Sequence, residues 1–161
     1  MRQVYMDHSA TTPIDPEVFE SMMPYLTDRF GNPSSIYSAG QTARQGVEKA
    51  REQVASLLNA LPDEIIFTSG GTEADNLAII GYAKANRHKG NHIITSSIEH
   101  HAVYDTCKYL SENGFEVTFL PVNGDGVVEP ETLKAALKPT TILVSIMHAN
   151  NEVGTIEPIK E

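Results

Sequence analysis

Three short polar clusters in this chain each follow an aliphatic run, and each holds residue types that can bind or move charge. The first is Phe67-Thr68-Ser69-Gly70-Gly71-Thr72-Glu73-Ala74-Asp75-Asn76. Two glycines let the backbone turn tightly and approach a ligand closely. A helix that starts there points its free N–H groups at one spot and favours an anion. The segment therefore reads either as a phosphate cradle or as ordinary strand-to-helix turn chemistry, with Thr72 and Asp75 as a weak capping box. Two nucleotide-binding fingerprints are excluded. No lysine follows the glycines, and the spacing is not G-x-G-x-x-G.

The second cluster is Thr95-Ser96-Ser97-Ile98-Glu99-His100-His101. An imidazole here can stack on a flat ligand or move protons near neutral pH, or simply sit exposed at a helix start. The third is His148-Ala149-Asn150-Asn151-Glu152-Val153-Gly154. Its asparagines offer donor and acceptor to a polar ligand, or serve as turn residues. A zinc site is not supported, because the histidines do not form H-E-x-x-H and no thiolate cluster accompanies them. Cys107 shares a helical face with Val103 and Leu110 and reads as a small core hydrophobe rather than a nucleophile.

The elements that must position these clusters are legible in the pattern. Asp15-Pro16 reads as an N-cap and first helical residue, with Val18, Phe19, Met22 and Leu26 on the apolar side. Residues 27–40 read as irregular. Ala43, Val47, Ala50, Val54 and Leu57 trace one face of a helix over 41–58. The pattern then predicts strands at 64–69, 91–97, 116–122 and 141–148, and helices at 72–85, 102–112 and 130–137. Strands separated by helices imply right-handed crossovers and a parallel sheet covered on both faces. Parallel strands bring their C-terminal ends to one edge, so the ends near Ser69, Ser97 and His148 are expected together. Glu157-Pro158-Ile159-Lys160-Glu161 resembles the first turn of another helix, which reads as a truncated or split domain.

The 161 residues carry 12 Lys+Arg against 21 Asp+Glu, a formal net charge of -9. That balance argues against a phosphate-neutralising nucleic-acid surface and against an anionic membrane. No stretch approaches the roughly 20 apolar residues of a membrane helix, and the start lacks a signal-peptide core. The single cysteine fits a reducing, cytoplasmic compartment.

Asp7-His8-Ser9-Ala10-Thr11-Thr12-Pro13 and Gly31-Asn32-Pro33-Ser34-Ser35 add to these clusters. Together with Phe67–Asn76, Thr95–His100 and Val144–Gly154, they resemble the NifS/IscS-type cysteine desulfurases, in family order and across essentially the whole chain. The resemblance implies an α/β fold, the large domain of fold-type I enzymes dependent on pyridoxal 5′-phosphate (PLP), class V. It is a mostly parallel sheet flanked by helices, incomplete in this chain. Residues 1–14 would be a lead segment and 15–161 the first part of the PLP-binding domain.

The implied reaction converts L-cysteine to L-alanine and passes sulfur on as an enzyme persulfide, for iron–sulfur clusters or tRNA. Gly71 and Thr72 would hold the cofactor phosphate, and His100 would stack on the pyridine ring and assist proton transfer. Asn151 would contact the cofactor. The family also implies a homodimer and an iron–sulfur scaffold or other sulfur acceptor as partner. Its Schiff-base lysine lies in a Ser-x-His-Lys block that none of the seven lysines here matches. The aspartate that pairs with the pyridinium nitrogen and the persulfide-forming cysteine are also missing, so the chain alone is expected to be inactive. A selenocysteine lyase, a class V aminotransferase, or a non-catalytic half that pairs with a complementary chain are the alternatives. In the family fold the strand at 64–69 does not neighbour 91–97, whereas 91–97, 116–122 and 141–148 form one parallel group.

Overall fold

A computed structural model describes residues 3–160. Met1 and Arg2 of the expected lead segment and Glu161 of the expected last helical turn lie outside the described residues. The contacts divide the chain into one unit ending at Phe67 and another beginning at Thr68.

The first unit carries helices α1 (Pro16–Thr27) and α2 (Ser38–Leu58). Asp15 caps α1 as its sequence suggests, its side chain accepting the Glu17 N–H at 2.9 Å. α2 starts three residues before the expected position 41. Gly40, in its first turn, lies so close to the preceding loop that a Cβ there would meet Ser35 O at 2.4 Å and Asn32 O at 2.7 Å. α2 ends on Asn59, which takes the left-handed conformation at φ 53°.

The expected strand over 64–69 is not formed. Pro62–Glu64 makes a 3₁₀ turn, Ile65 is extended, and residues 65–68 belong to no ladder. The backbone bonds of this segment go elsewhere. Ile65 donates to Pro62 O at 3.1 Å, and the Arg51 guanidinium donates to Ile65 C=O while lying over the Phe67 ring. β-branched and aromatic residues supply strand propensity, but a strand exists only where a neighbour takes its N–H and C=O groups.

The second unit contains α3 (Gly71–Asn86), β1 (His92–Ser96), α4 (His101–Glu112), β2 (Glu116–Leu120), α5 (Pro130–Ala136) and β3 (Thr141–Ser145). The three strands form one parallel sheet in the order β2-β1-β3, so the expected parallel group is present. β1 is the central strand and is buried along its whole length. Its side chains alternate between two cores. Ile93 packs with Ile79 and Ala83 of α3 and with Val103, Cys107 and Leu110 of α4. Ile94 packs with Leu120, Val128 and, from α5, Leu133. Helices thus cover both faces of the sheet.

The expected helical turn at 157–161 is not seen over the described residues. Ile156 instead bridges antiparallel to Ala149, and Glu157 donates its N–H to His148 O at 2.9 Å. These bonds commit the backbone to the loop after β3 and leave it out of a helical ladder.

Candidate functional site

The start of α3 is the first component. Gly70 is the N-cap, so Thr72 is the second helical residue and not the cap, and the Thr72–Asp75 capping box does not form. Glu73 closes the helix end instead, its Oε2 accepting from Ser69 N–H at 2.7 Å and from Ser69 Oγ at 2.6 Å. These bonds hold the exposed Glu73 carboxyl below its ordinary pKa. The first intrahelical bond runs from Ala74 N–H to Gly70 O at 3.1 Å. The N–H groups of Gly71, Thr72 and Glu73 precede it and have no carbonyl partner within the helix. A Cβ on Gly70 or Gly71 would meet nothing within 4 Å, so space lies open beside this backbone. Donors with room in front of them fit a phosphate, and the helix dipole contributes in place of a cationic side chain.

His100 forms the second component. It is exposed and is the N-cap of α4, its Nδ1 accepting the Ala102 N–H at 3.1 Å. An accepting Nδ1 carries no proton, which leaves Nε2 as the donor of the neutral ring. The cap also fixes the ring's orientation at the C-terminal end of β1.

The third component is the loop after β3. Asn151 is exposed there, whereas its neighbour Asn150 is buried at 8% exposure. Asn150 Nδ2 donates to Ile98 O at 2.9 Å, and its Oδ1 accepts from Glu152 and Val153 N–H at 2.8 and 2.9 Å. Glu99 reaches the other way, its Oε1 accepting from Met147 N–H and from Ser96 Oγ, both at 2.8 Å. Burial raises the Glu99 pKa, partly offset by these hydrogen bonds.

A chain of contacts joins the components. Asn76, one turn into α3, accepts from Thr106 Oγ1 at 2.8 Å and donates to Ala102 O at 3.4 Å. The N-terminal ends of α3 and α4 therefore lie together, at the edge where β1 and β3 end. The parallel strands β1 and β3 bring His100 and Asn151 to this one edge, as their alternation predicts, whereas Gly71 and Thr72 arrive there through the packing of α3 on α4, since no strand forms at 64–69. Glu99, Asn150 and Asn76 lie within the clusters read from sequence, but the contacts that fix their roles do not show there. Their partners lie 26 to 52 residues away, and no local spacing reports such contacts.

Cys107 lies outside this edge, fully buried in the α4 core, where burial pushes its thiol pKa up to about 11. His88-Lys89 is the only His-Lys pair in the chain. It lies just past the C-terminal end of α3, roughly 24 Å along the helix from Gly71 at 1.5 Å per residue. Lys89 there donates to Asn86 Oδ1 at 2.8 Å.

Comparison with known proteins gives this edge a context. The family model described as Aminotransferase class-V matches residues 4–161. The cysteine desulfurase IscS of Methanosarcina thermophila is 60% identical over 160 residues, covering 99% of this chain and 40% of its own length. That of Dictyoglomus turgidum is 58% identical, with 99% and 41% covered. Among solved structures, a NifS-like protein superposes with a TM-score of 0.94 at 45% identity, covering 99% of this chain and 44% of its own. A structure described as SspA in complex with cysteine gives 0.89 at 42% identity, with 96% and 45% covered. The chain thus spans about 40% of the length of the curated relatives it matches.

Proposed function

Because this chain belongs to the aminotransferase class V family, we propose that it forms the cofactor-phosphate edge of a PLP-dependent cysteine desulfurase. The proposed reaction takes sulfur from L-cysteine, leaves L-alanine, and passes the sulfur on as an enzyme persulfide to an acceptor such as an iron–sulfur scaffold. A homodimer and a cytoplasmic setting belong to the same proposal; no helix among the described residues is long and apolar enough to cross a membrane. The observation that carries the reading is the open start of α3 on the same sheet edge as His100 and Asn151.

In this reading the N–H groups of Gly71 and Thr72, with the Thr72 hydroxyl, bind the cofactor phosphate. The His100 ring, oriented by its cap on Ala102, would stack on the cofactor's ring and hold a proton at Nε2. The Asn151 amide offers one donor and one acceptor to the ring substituents. When bound, PLP supplies the electron sink that lets the substrate lose a proton from its α-carbon. Chemistry that needs a covalent lysine lies outside the residues placed here, since no lysine sits in a Ser-x-His-Lys context.

A chimera tests the proposal. This chain replaces the matched 160 residues of the Methanosarcina thermophila relative, and alanine release from L-cysteine is measured after PLP loading. The expected result is turnover, with His100→Ala lowering it by about 100-fold or more, the range of a lost proton-transfer group. A folded, PLP-loaded chimera that releases no alanine would overturn the reading.

A further inference from the structure

The ladder between β1 and β3 ends at the pair Thr95 and Ser145. Beyond it, no backbone hydrogen bond among the described residues joins the loop that carries His100 to the loop that carries Asn151. Two side chains continue the connection, one from each loop. Glu99 accepts the Met147 N–H of the opposite loop at 2.8 Å, and Asn150 donates to the Ile98 carbonyl of the opposite loop at 2.9 Å. Each stands immediately before a residue of the candidate site, Glu99 before His100 and Asn150 before Asn151. Ser96 Oγ and the Glu152 and Val153 N–H groups hold the two side chains in place from their own loops. These bonds span 48 and 52 residues of sequence, so no local turn could replace them.

We propose that Glu99 and Asn150 are positioning residues, a reciprocal clasp that sets the separation of His100 and Asn151 and hence the slot for the cofactor ring. The proposal rests on the cofactor reading of those two residues. The start of α3 is tied in separately, through Asn76 to Ala102 and Thr106. Opening the clasp should therefore loosen the hold on the ring while leaving the hold on phosphate nearly unchanged. Glu99 serves as an acceptor through a single oxygen, Oε1, a role that a glutamine carbonyl can fill. Asn150→Asp keeps the acceptor for Glu152 and Val153 but sets a second oxygen against the Ile98 carbonyl, so it opens one arm without undoing the loop's own turn.

The test compares binding of pyridoxine 5′-phosphate with that of inorganic phosphate by the full 161-residue chain. Pyridoxine phosphate carries ring and phosphate but no aldehyde, so it forms no stray adduct with lysines. Wild type should prefer it. Glu99→Ala and Asn150→Asp should each lower the affinity ratio about tenfold, the scale of one lost charge-assisted or buried hydrogen bond. Glu99→Gln should restore it. Hydrogen exchange of the Met147 amide should quicken in Glu99→Ala and return towards wild type in Glu99→Gln. If Glu99→Ala does not fold, Asn150→Asp decides alone, because its loop keeps its local bonds. Variants that retain the ratio of a wild type that prefers the ring would overturn the clasp and leave the cofactor reading standing. A wild type with no preference would overturn both.

Discussion

His92 opens β1 with both ring nitrogens engaged. Nδ1 lies 2.7 Å from Thr141 Oγ1 on β3, and Nε2 lies 2.8 Å from Thr118 Oγ1 on β2. The residue is fully buried, and burial lowers its pKa below the ordinary 6.5, with Lys138 adding to the effect and Glu116 opposing it. A neutral imidazole can give one hydrogen bond and take one, which suits two hydroxyls. Protonation favours the unfolded chain, where the ring is solvated. Between the lowered folded pKa and 6.5 the unfolded state binds more protons, so stability falls as pH drops through that window. Urea midpoints should therefore decline from pH 7 to pH 5, and His92→Gln should flatten that slope. Glu99 acts in the opposite sense. Its raised pKa means the folded state holds the proton more tightly just above 4.5, so its ionisation costs stability as pH rises there. None of this was visible from His92 as a letter in the sequence, because its partners sit 26 and 49 residues away on strands whose register the pattern does not give.

At the scale of elements, helices and strands were legible wherever local periodicity and local capping decide. Asp15-Pro16 sets the start of α1, and the apolar face of Ala43, Val47, Ala50 and Val54 marks α2. The alternation after Thr72 gave the parallel sheet, and with it the shared edge of the candidate site. What failed depended on partners. Ile65-Ile66-Phe67 has the composition of a strand, but its backbone bonds go to Pro62 and Arg51. The residues from Ile156 bridge back to Ala149 where a helix was expected. Two glycines with the same helix propensity make the distinction measurable. Gly40 is buried, and a Cβ would strike two backbone carbonyl oxygens that cannot swing aside. Gly40→Ala should destabilise the first unit by about 1–3 kcal/mol, the cost of overpacking. Gly81 is exposed inside α3, and a Cβ there meets nothing within 4 Å. Gly81→Ala should stabilise the second unit by about 0.5–1 kcal/mol, since alanine loses less backbone entropy on folding. Thermal melts that shift both variants in the same direction would contradict this account.

Across the whole molecule, protection from solvent is uneven in a way that hydrogen exchange can read. β1 has a hydrogen-bonded neighbour on each side and a helical layer on each face, and Ile93 and Ile94 are fully buried. Their amides can exchange only when the sheet opens, so they should be the slowest in the chain and report the global unfolding free energy of the second unit. Among the described residues β2 and β3 each have one open side, and β3 leaves Val144 at 39% exposure, so exchange there should be intermediate. Among its described residues, the first unit has no such centre. Its buried hydrophobic residues are alanines, Ala43 and Ala55, and no residue of α1 is buried. The large apolar side chains Val18, Phe19 and Leu26 stay exposed at 52%, 48% and 63%. Burial of apolar area is the main favourable term in folding, so this unit should open at a lower free energy than the sheet. Ile66 and Phe67 sit at its end without a ladder, at 69% and 48% exposure. Their amides should exchange orders of magnitude faster than those of Ile93 and Ile94 in a dilute sample at neutral pH. Protection of Ile66 and Phe67 comparable to that of β1 would mean that their N–H groups have found a strand partner. That would overturn both the unpaired segment and the low stability assigned to the first unit.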